Sequence, residues 1–169
     1  MSNILITGRP GVGKTTLIMK IVRKLPCRVS GFYTREKRES GRRTGFYISD
    51  FSGNQTVMAD VNFKSSYQVG KYGVNLKAFE KIAIPAMEKD ADLIVVDEIG
   101  KMEIFSSKFR KTLEKIFNSS KPVLATIKER DCEFTSKLKA RSDVKVFKLT
   151  PSNRDKVEKS VLHLLKMLF

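Results

Sequence analysis

The chain is poor in residues that serve metal and redox chemistry. Its 169 residues include one histidine, His163, two cysteines, Cys27 and Cys132, and no tryptophan. A lone histidine cannot build a His-rich metal site or a two-histidine proton relay, and its place in an apolar C-terminal stretch assigns it a structural role through burial. The two cysteines lie in no C-x-x-C pair and beside no histidine cluster, which excludes a disulfide framework and points to a reduced, cytoplasmic setting. Long apolar runs are also missing: none approaches the ~20 residues that cross a bilayer. The opening Met1-Ser2-Asn3-Ile4-Leu5-Ile6-Thr7 lacks the basic and apolar regions of a secretory signal, so no membrane partner is expected. Acidic residues are scarce relative to basic ones, 18 against 33, for a net charge of +15 and a pI near 9.9. With 41% hydrophobic residues the composition is that of a globular chain, and the length fits one domain over residues 1–169.

The charge is uneven. Residues 20–43 carry nine basic side chains against Glu36 and Glu39, a net of +7, whereas residues 88–103 carry six acidic groups against Lys89 and Lys101, a net of −4. Hydrophobic periodicity divides the chain further. Ile4-Leu5-Ile6 reads as a short buried strand, and Leu17, Ile18, Ile21, Val22 and Leu25 share one helix face up to Pro26. From Arg28 to Val61 the pattern becomes short aromatic and β-branched runs separated by Ser40-Gly41 and Ser52-Gly53-Asn54, the mark of antiparallel hairpins. Helical spacing returns at Leu76, Phe79, Ile82 and Ala83, where Pro85 is expected to bend or interrupt the helix. Leu93 to Val96 reads as a strand covered on both faces. Beyond it the pattern predicts a helix over Phe105–Phe117, strands over Val123–Ile127 and Val144–Leu149, and an amphipathic helix over Arg154–Leu168. Strands alternating with helices predict an α/β fold: a mostly parallel sheet between two helical layers, with an antiparallel β insertion near residues 28–61.

Gly8-Arg9-Pro10-Gly11-Val12-Gly13-Lys14-Thr15 matches G-x-x-x-x-G-K-[ST] between a strand and a helix. A triphosphate needs converging backbone N–H groups free of side chains, which Gly8, Gly11 and Gly13 permit, and the helix N-terminus adds partial positive charge. Lys14 offers an ammonium to the β- and γ-phosphates, and Thr15 a hydroxyl to Mg²⁺, with Thr16 following in the first helical turn. Arg9 occupies a variable position and reads as surface or base-side. Asp97-Glu98 closes the buried strand, at the end where open α/β sheets bind ligands. Strand side chains alternate faces, so the two carboxylates are expected to diverge: Asp97 toward Mg²⁺, Glu98 toward the attacking water.

Four further segments carry a resemblance: Gly31-Phe32-Tyr33-Thr34, Gly70-Lys71-Tyr72-Gly73-Val74-Asn75, Asp97-Glu98-Ile99-Gly100-Lys101-Met102-Glu103 and Lys121-Pro122-Val123-Leu124-Ala125-Thr126-Ile127. With the P-loop they make the chain resemble the small P-loop nucleoside-triphosphatases described from thermophiles and related to a human cancer-associated nucleoside-triphosphatase. The resemblance implies a RecA-like three-layer fold and slow, Mg²⁺-dependent hydrolysis of ATP, GTP, CTP and UTP. It also implies nucleotide contacts at Gly8 through Thr15 and around Ile94 through Lys101, including Ile99, Gly100 and Lys101.

Three weaker signals remain. Thr126, at a strand end, reads either as a polar sensor of the γ-phosphate or as a β-branched packing residue. Arg130, with Lys128, reads either as a cis arginine finger or as a solvated loop charge. Aromatic residues among the arginines of residues 28–47 suggest nucleic-acid contact or, as the plainer reading, cross-strand packing. Two rivals to hydrolysis therefore stand, a small nucleoside or nucleotide kinase and a nucleic-acid-associated nucleoside-triphosphatase. A monomer is expected, although Val161, Leu164, Leu165 and Leu168 fit either the sheet or another copy.

Overall fold

The computed structural model describes residues 3–169, so Met1 and Ser2 at the head of the N-terminal segment lie outside the described residues. The chain opens with β1 (Asn3–Thr7) and α1 (Lys14–Arg23), followed by β2 (Val29–Glu39), β3 (Arg42–Asp50), β4 (Gln55–Asp60), β5 (Gln68–Val69) and β6 (Tyr72–Val74). It continues through α2 (Leu76–Glu88), β7 (Leu93–Ile99), α3 (Lys101–Ile104), α4 (Ser107–Phe117), β8 (Val123–Ile127), α5 (Glu133–Lys139), β9 (Val144–Lys148) and α6 (Arg154–Lys166).

The nine strands of the described residues join one sheet in the order β5-β6-β4-β3-β2-β7-β8-β1-β9. The five strands from β2 to β9 pair in parallel, and β2, β3, β4, β6 and β5 pair antiparallel. The insertion thus reaches Val74, beyond the expected Val61, and it is continuous with the parallel sheet because β2 belongs to both halves.

Alternation along the parallel strands distributes side chains to two helical layers. Ile4, Ile6, Leu93 and Val95 pack with Leu17, Ile18 and Ile21 of α1 and Val157, Val161 and Leu165 of α6. Leu5, Phe32, Ile94 and Val96 pack with Phe79 of α2 and Phe109 and Leu113 of α4. Phe32, Phe79 and Phe109 form a cluster of edge-to-face rings with centroids 5.4–6.0 Å apart.

Three local expectations are corrected. Pro85 does not interrupt the helix: α2 runs through it, because burial of Ala83, Ala86 and Met87 outweighs one missing backbone donor. The helix expected over Phe105–Phe117 begins at Ser107, because Ser106, which is buried, accepts the Phe109 N–H on its Oγ at 3.1 Å as the cap of α4. His163 is exposed, since α6 turns Val161 and Leu165 to the sheet and leaves His163 on its outer side, so burial is not its role.

Candidate functional site

The loop between β1 and α1 holds its shape through glycine: Gly8, Gly11 and Gly13 all adopt positive φ. At Gly8 a side chain would also lie 2.7 Å from the Leu149 carbonyl oxygen, so only glycine lets the loop pass the end of β9. The loop folds back on itself, with Lys14 Nζ donating to the Gly8 carbonyl at 2.7 Å. Lys14 is buried at the first position of α1, and its ammonium lies 3.4 Å from Glu98 Oε2.

β8 separates β7 from β1, and the C-terminal ends of these parallel strands gather polar side chains. Asp97 is 1% exposed. Its carboxylate accepts the Thr15 hydroxyl at 2.8 and 3.0 Å, the Thr126 hydroxyl at 2.6 Å and the Thr34 N–H at 3.4 Å. Burial pushes the Asp97 pKa up to about 6, the hydroxyls pull it back, and the charge of Glu98 raises it further. Among the described residues no cationic side chain pairs with Asp97. A buried carboxylate of this kind, beside the Thr15 hydroxyl, is an oxygen donor set suited to a hard divalent cation. No group of three or more His, Cys, Asp or Glu that could hold a metal occurs among the described residues.

Glu98 points into the crevice with its side chain 34% exposed. The expectation that Asp97 and Glu98 diverge holds only for their surroundings: one is sealed among hydroxyls and the other is open beside Lys14. Both line one crevice, because the register of β7 shifts between Val96 and Ile99 and interrupts simple alternation.

The crevice has a volume of about 570 Å³, within the range of small-molecule sites. The loop contributes Pro10, Gly11, Gly13, Lys14, Thr15 and Thr16 to its lining. Arg9 and Val12 border a second hollow with Pro151 and Arg154. The Ile99 side chain is sealed in the core, the Gly100 N–H is bonded to Glu103 at 3.1 Å, and Lys101 is exposed at the start of α3. None of these three lines the crevice. Thr126 reaches the site as a donor to Asp97. Arg130 is exposed and borders a further hollow with Lys14, Glu98 and Lys128.

Two features escaped the sequence. Thr34, Arg35, Glu36, Arg43 and Phe46 form the wall of the crevice facing the loop. Their basic and aromatic character was visible, but their position depends on β2 pairing with β7. Glu103 is a second buried acid behind Glu98: a side chain built at Gly100 would lie 2.7 Å from Glu98 Oε1 and 2.8 Å from Glu103 Oε1.

A family model described as NTPase matches residues 3–162. The chain belongs to the NTPase family. It is 51% identical to the nucleoside-triphosphatase THEP1 of Thermotoga petrophila, over 96% of this chain and 92% of that one. Its fold is similar to the crystal structure of THEP1 from the hyperthermophile Aquifex aeolicus, with a TM-score of 0.87 and 41% identity over 96% and 98% of the two chains. It is also similar to the solution structure of a human cancer-related nucleoside triphosphatase, with a TM-score of 0.83 and 32% identity over 99% and 98%. The expected family and the P-loop type of α/β fold are thereby established.

Proposed function

We propose that this NTPase-family chain is a Mg²⁺-dependent phosphohydrolase that converts ATP, GTP, CTP or UTP and water to the nucleoside diphosphate and phosphate. The observation that carries this reading is the division between two adjacent acids at the loop: Asp97 buried against Thr15, and Glu98 open to the crevice 3.4 Å from Lys14. The loop amides and Lys14 hold the β- and γ-phosphates. Thr15 and Asp97 hold the cation, which supplies charge neutralisation at the phosphate oxygens when bound. Thr126 keeps the Asp97 carboxylate turned toward Thr15. Glu98 accepts the proton of the attacking water, and Lys14 keeps Glu98 close to the γ-phosphate.

Base tolerance is supported by the hollow beside the loop, where Arg9, Pro10, Gly11, Val12, Pro151 and Arg154 meet. Guanidinium faces and a proline ring contact any base without reading its edge. Phosphate release from ATP, GTP, CTP and UTP, with Mg²⁺ and with chelator, tests the proposal. All four are expected to turn over within about tenfold of one another, since stacking discriminates little between bases, and chelator is expected to abolish release. Strict preference for one base, or release that persists in chelator, contradicts it.

A further inference from the structure

The wall opposite the loop carries two arginines, Arg35 and Arg43, and one acid, Glu36. Arg43 is fixed from several sides. Its Nε donates to the Tyr72 hydroxyl at 2.9 Å and its Nη1 to Glu36 at 3.3 Å, while its guanidinium lies over the rings of Phe46 and Tyr72 at 5.3 and 5.5 Å. Nη2 has no protein partner among the described residues. Glu36 does not neutralise this group alone, because it is shared with Arg38. Arg35, on the same wall, bonds the neutral Gln55 at 3.0 Å and has no acidic partner among the described residues. The result is a guanidinium fork held in place through Nε and Nη1, with Nη2 left to donate, beside an arginine that has no acidic partner among the described residues, an arrangement suited to phosphate.

The sheet order places this fork relative to a nucleotide. Along the C-terminal edge, β1 with the loop is followed by β8 with Thr126, by β7 with Asp97 and Glu98, and then by β2 and β3 with the arginines. Lys14 and the two acids mark the γ-phosphate end, so the nucleoside extends the other way, toward the hollow of Pro151 and Arg154. β3 lies two strand spacings, roughly 10 Å, from β7, where Asp97 and Glu98 mark the γ-phosphate end, so the arginines stand past that end of the triphosphate on the side away from the nucleoside. Glu36 and Phe46 are cross-strand partners. Phe46 packs on the core cluster that contains Val96, so the fork stands on the α2 and α4 side of the sheet.

We propose that Arg43, supported by Arg35, binds the phosphate of a second small molecule carrying a phosphate monoester, seated in the same crevice beyond the γ-phosphate. This inference rests on the proposed function only in using the loop as the triphosphate seat. The test is calorimetric titration of 5′-AMP, with adenosine as control, into the protein saturated with a non-hydrolysable ATP analogue and Mg²⁺. AMP is expected to bind and adenosine to bind at least tenfold more weakly. Arg43→Ala is expected to weaken AMP at least tenfold, and Tyr72→Phe, outside the crevice lining, to weaken it by less with unchanged affinity for the analogue and unchanged phosphate release in the absence of AMP. Arg43→Lys, which preserves charge and fold, is expected to retain part of the AMP affinity. Absence of AMP binding, equal binding of adenosine, or undiminished AMP binding by Arg43→Ala overturns the proposal. So does a loss of analogue affinity or basal turnover in Tyr72→Phe, which assigns the fork to the triphosphate. Failure of the saturating analogue to bind, by contrast, defeats the reading of the loop and is seen before AMP is added.

Discussion

Glu103 has a buried carboxyl group that accepts the Gly100 N–H, and no cationic partner among the described residues. Burial pushes its pKa up to about 8, and the charges of Glu98 and Asp97 push the same way. A carboxyl whose folded pKa is raised binds its proton more tightly in the fold than in the unfolded chain. Its contribution is therefore fully present below the unfolded value of 4.5 and is lost as pH rises to about 8. Glu103→Gln, which cannot ionise, is expected to become more stable relative to the parent as pH is raised across that window, as read by melting temperature. A constant difference across the window contradicts a neutral Glu103. Gly100 separates this acid from Glu98. Gly100→Ala is expected to displace the Glu98 carboxylate and lower kcat by about 10²-fold, with little change in nucleotide affinity, and a parental kcat would show that the separation is not needed.

At the scale of elements, legibility followed locality. Helix α1 and strands β1, β7 and β8 were readable because their apolar spacing and the P-loop glycines are local signals. Strand β6 was not: Tyr72-Gly73-Val74 is three residues in a polar stretch, and it becomes a strand through pairing with Ala59 and Asp60 of β4. Helix α5 was missed for a similar reason, since it has seven residues and buries only Thr135 and Leu138. The break between α3 and α4 depends on the Ser106 hydroxyl, which caps Phe109 and donates to Glu80. Ser106→Ala is expected to cost about 1 kcal/mol and to lower the melting temperature by a few degrees. An unchanged melting temperature would mean that the cap is dispensable.

At the scale of the molecule, the candidate site was half legible. Lys14, Thr15, Asp97 and Glu98 were found by motif, but the hairpin wall was not, because it depends on strand order. The basic, aromatic segment 28–47 reads as nucleic-acid contact or, more plainly, as cross-strand packing, and in the fold Phe32 is a core residue and Tyr33 packs on Phe51 at 5.3 Å. Binding at the loop should also be felt by the whole chain. A non-hydrolysable triphosphate with Mg²⁺ at one hundred times its Kd is expected to stabilise the protein by about 2.7 kcal/mol, a rise in melting temperature of roughly 5–10 °C. Lys14→Ala should abolish the rise, and an equal rise in that variant would place the phosphates elsewhere. The most direct test of the central claim is the Glu98→Gln variant, measured for both triphosphate affinity and phosphate release. Unchanged affinity with turnover reduced about 10²–10⁴-fold is the predicted result, and hydrolysis at the parental rate would contradict the assignment of Glu98 as the base.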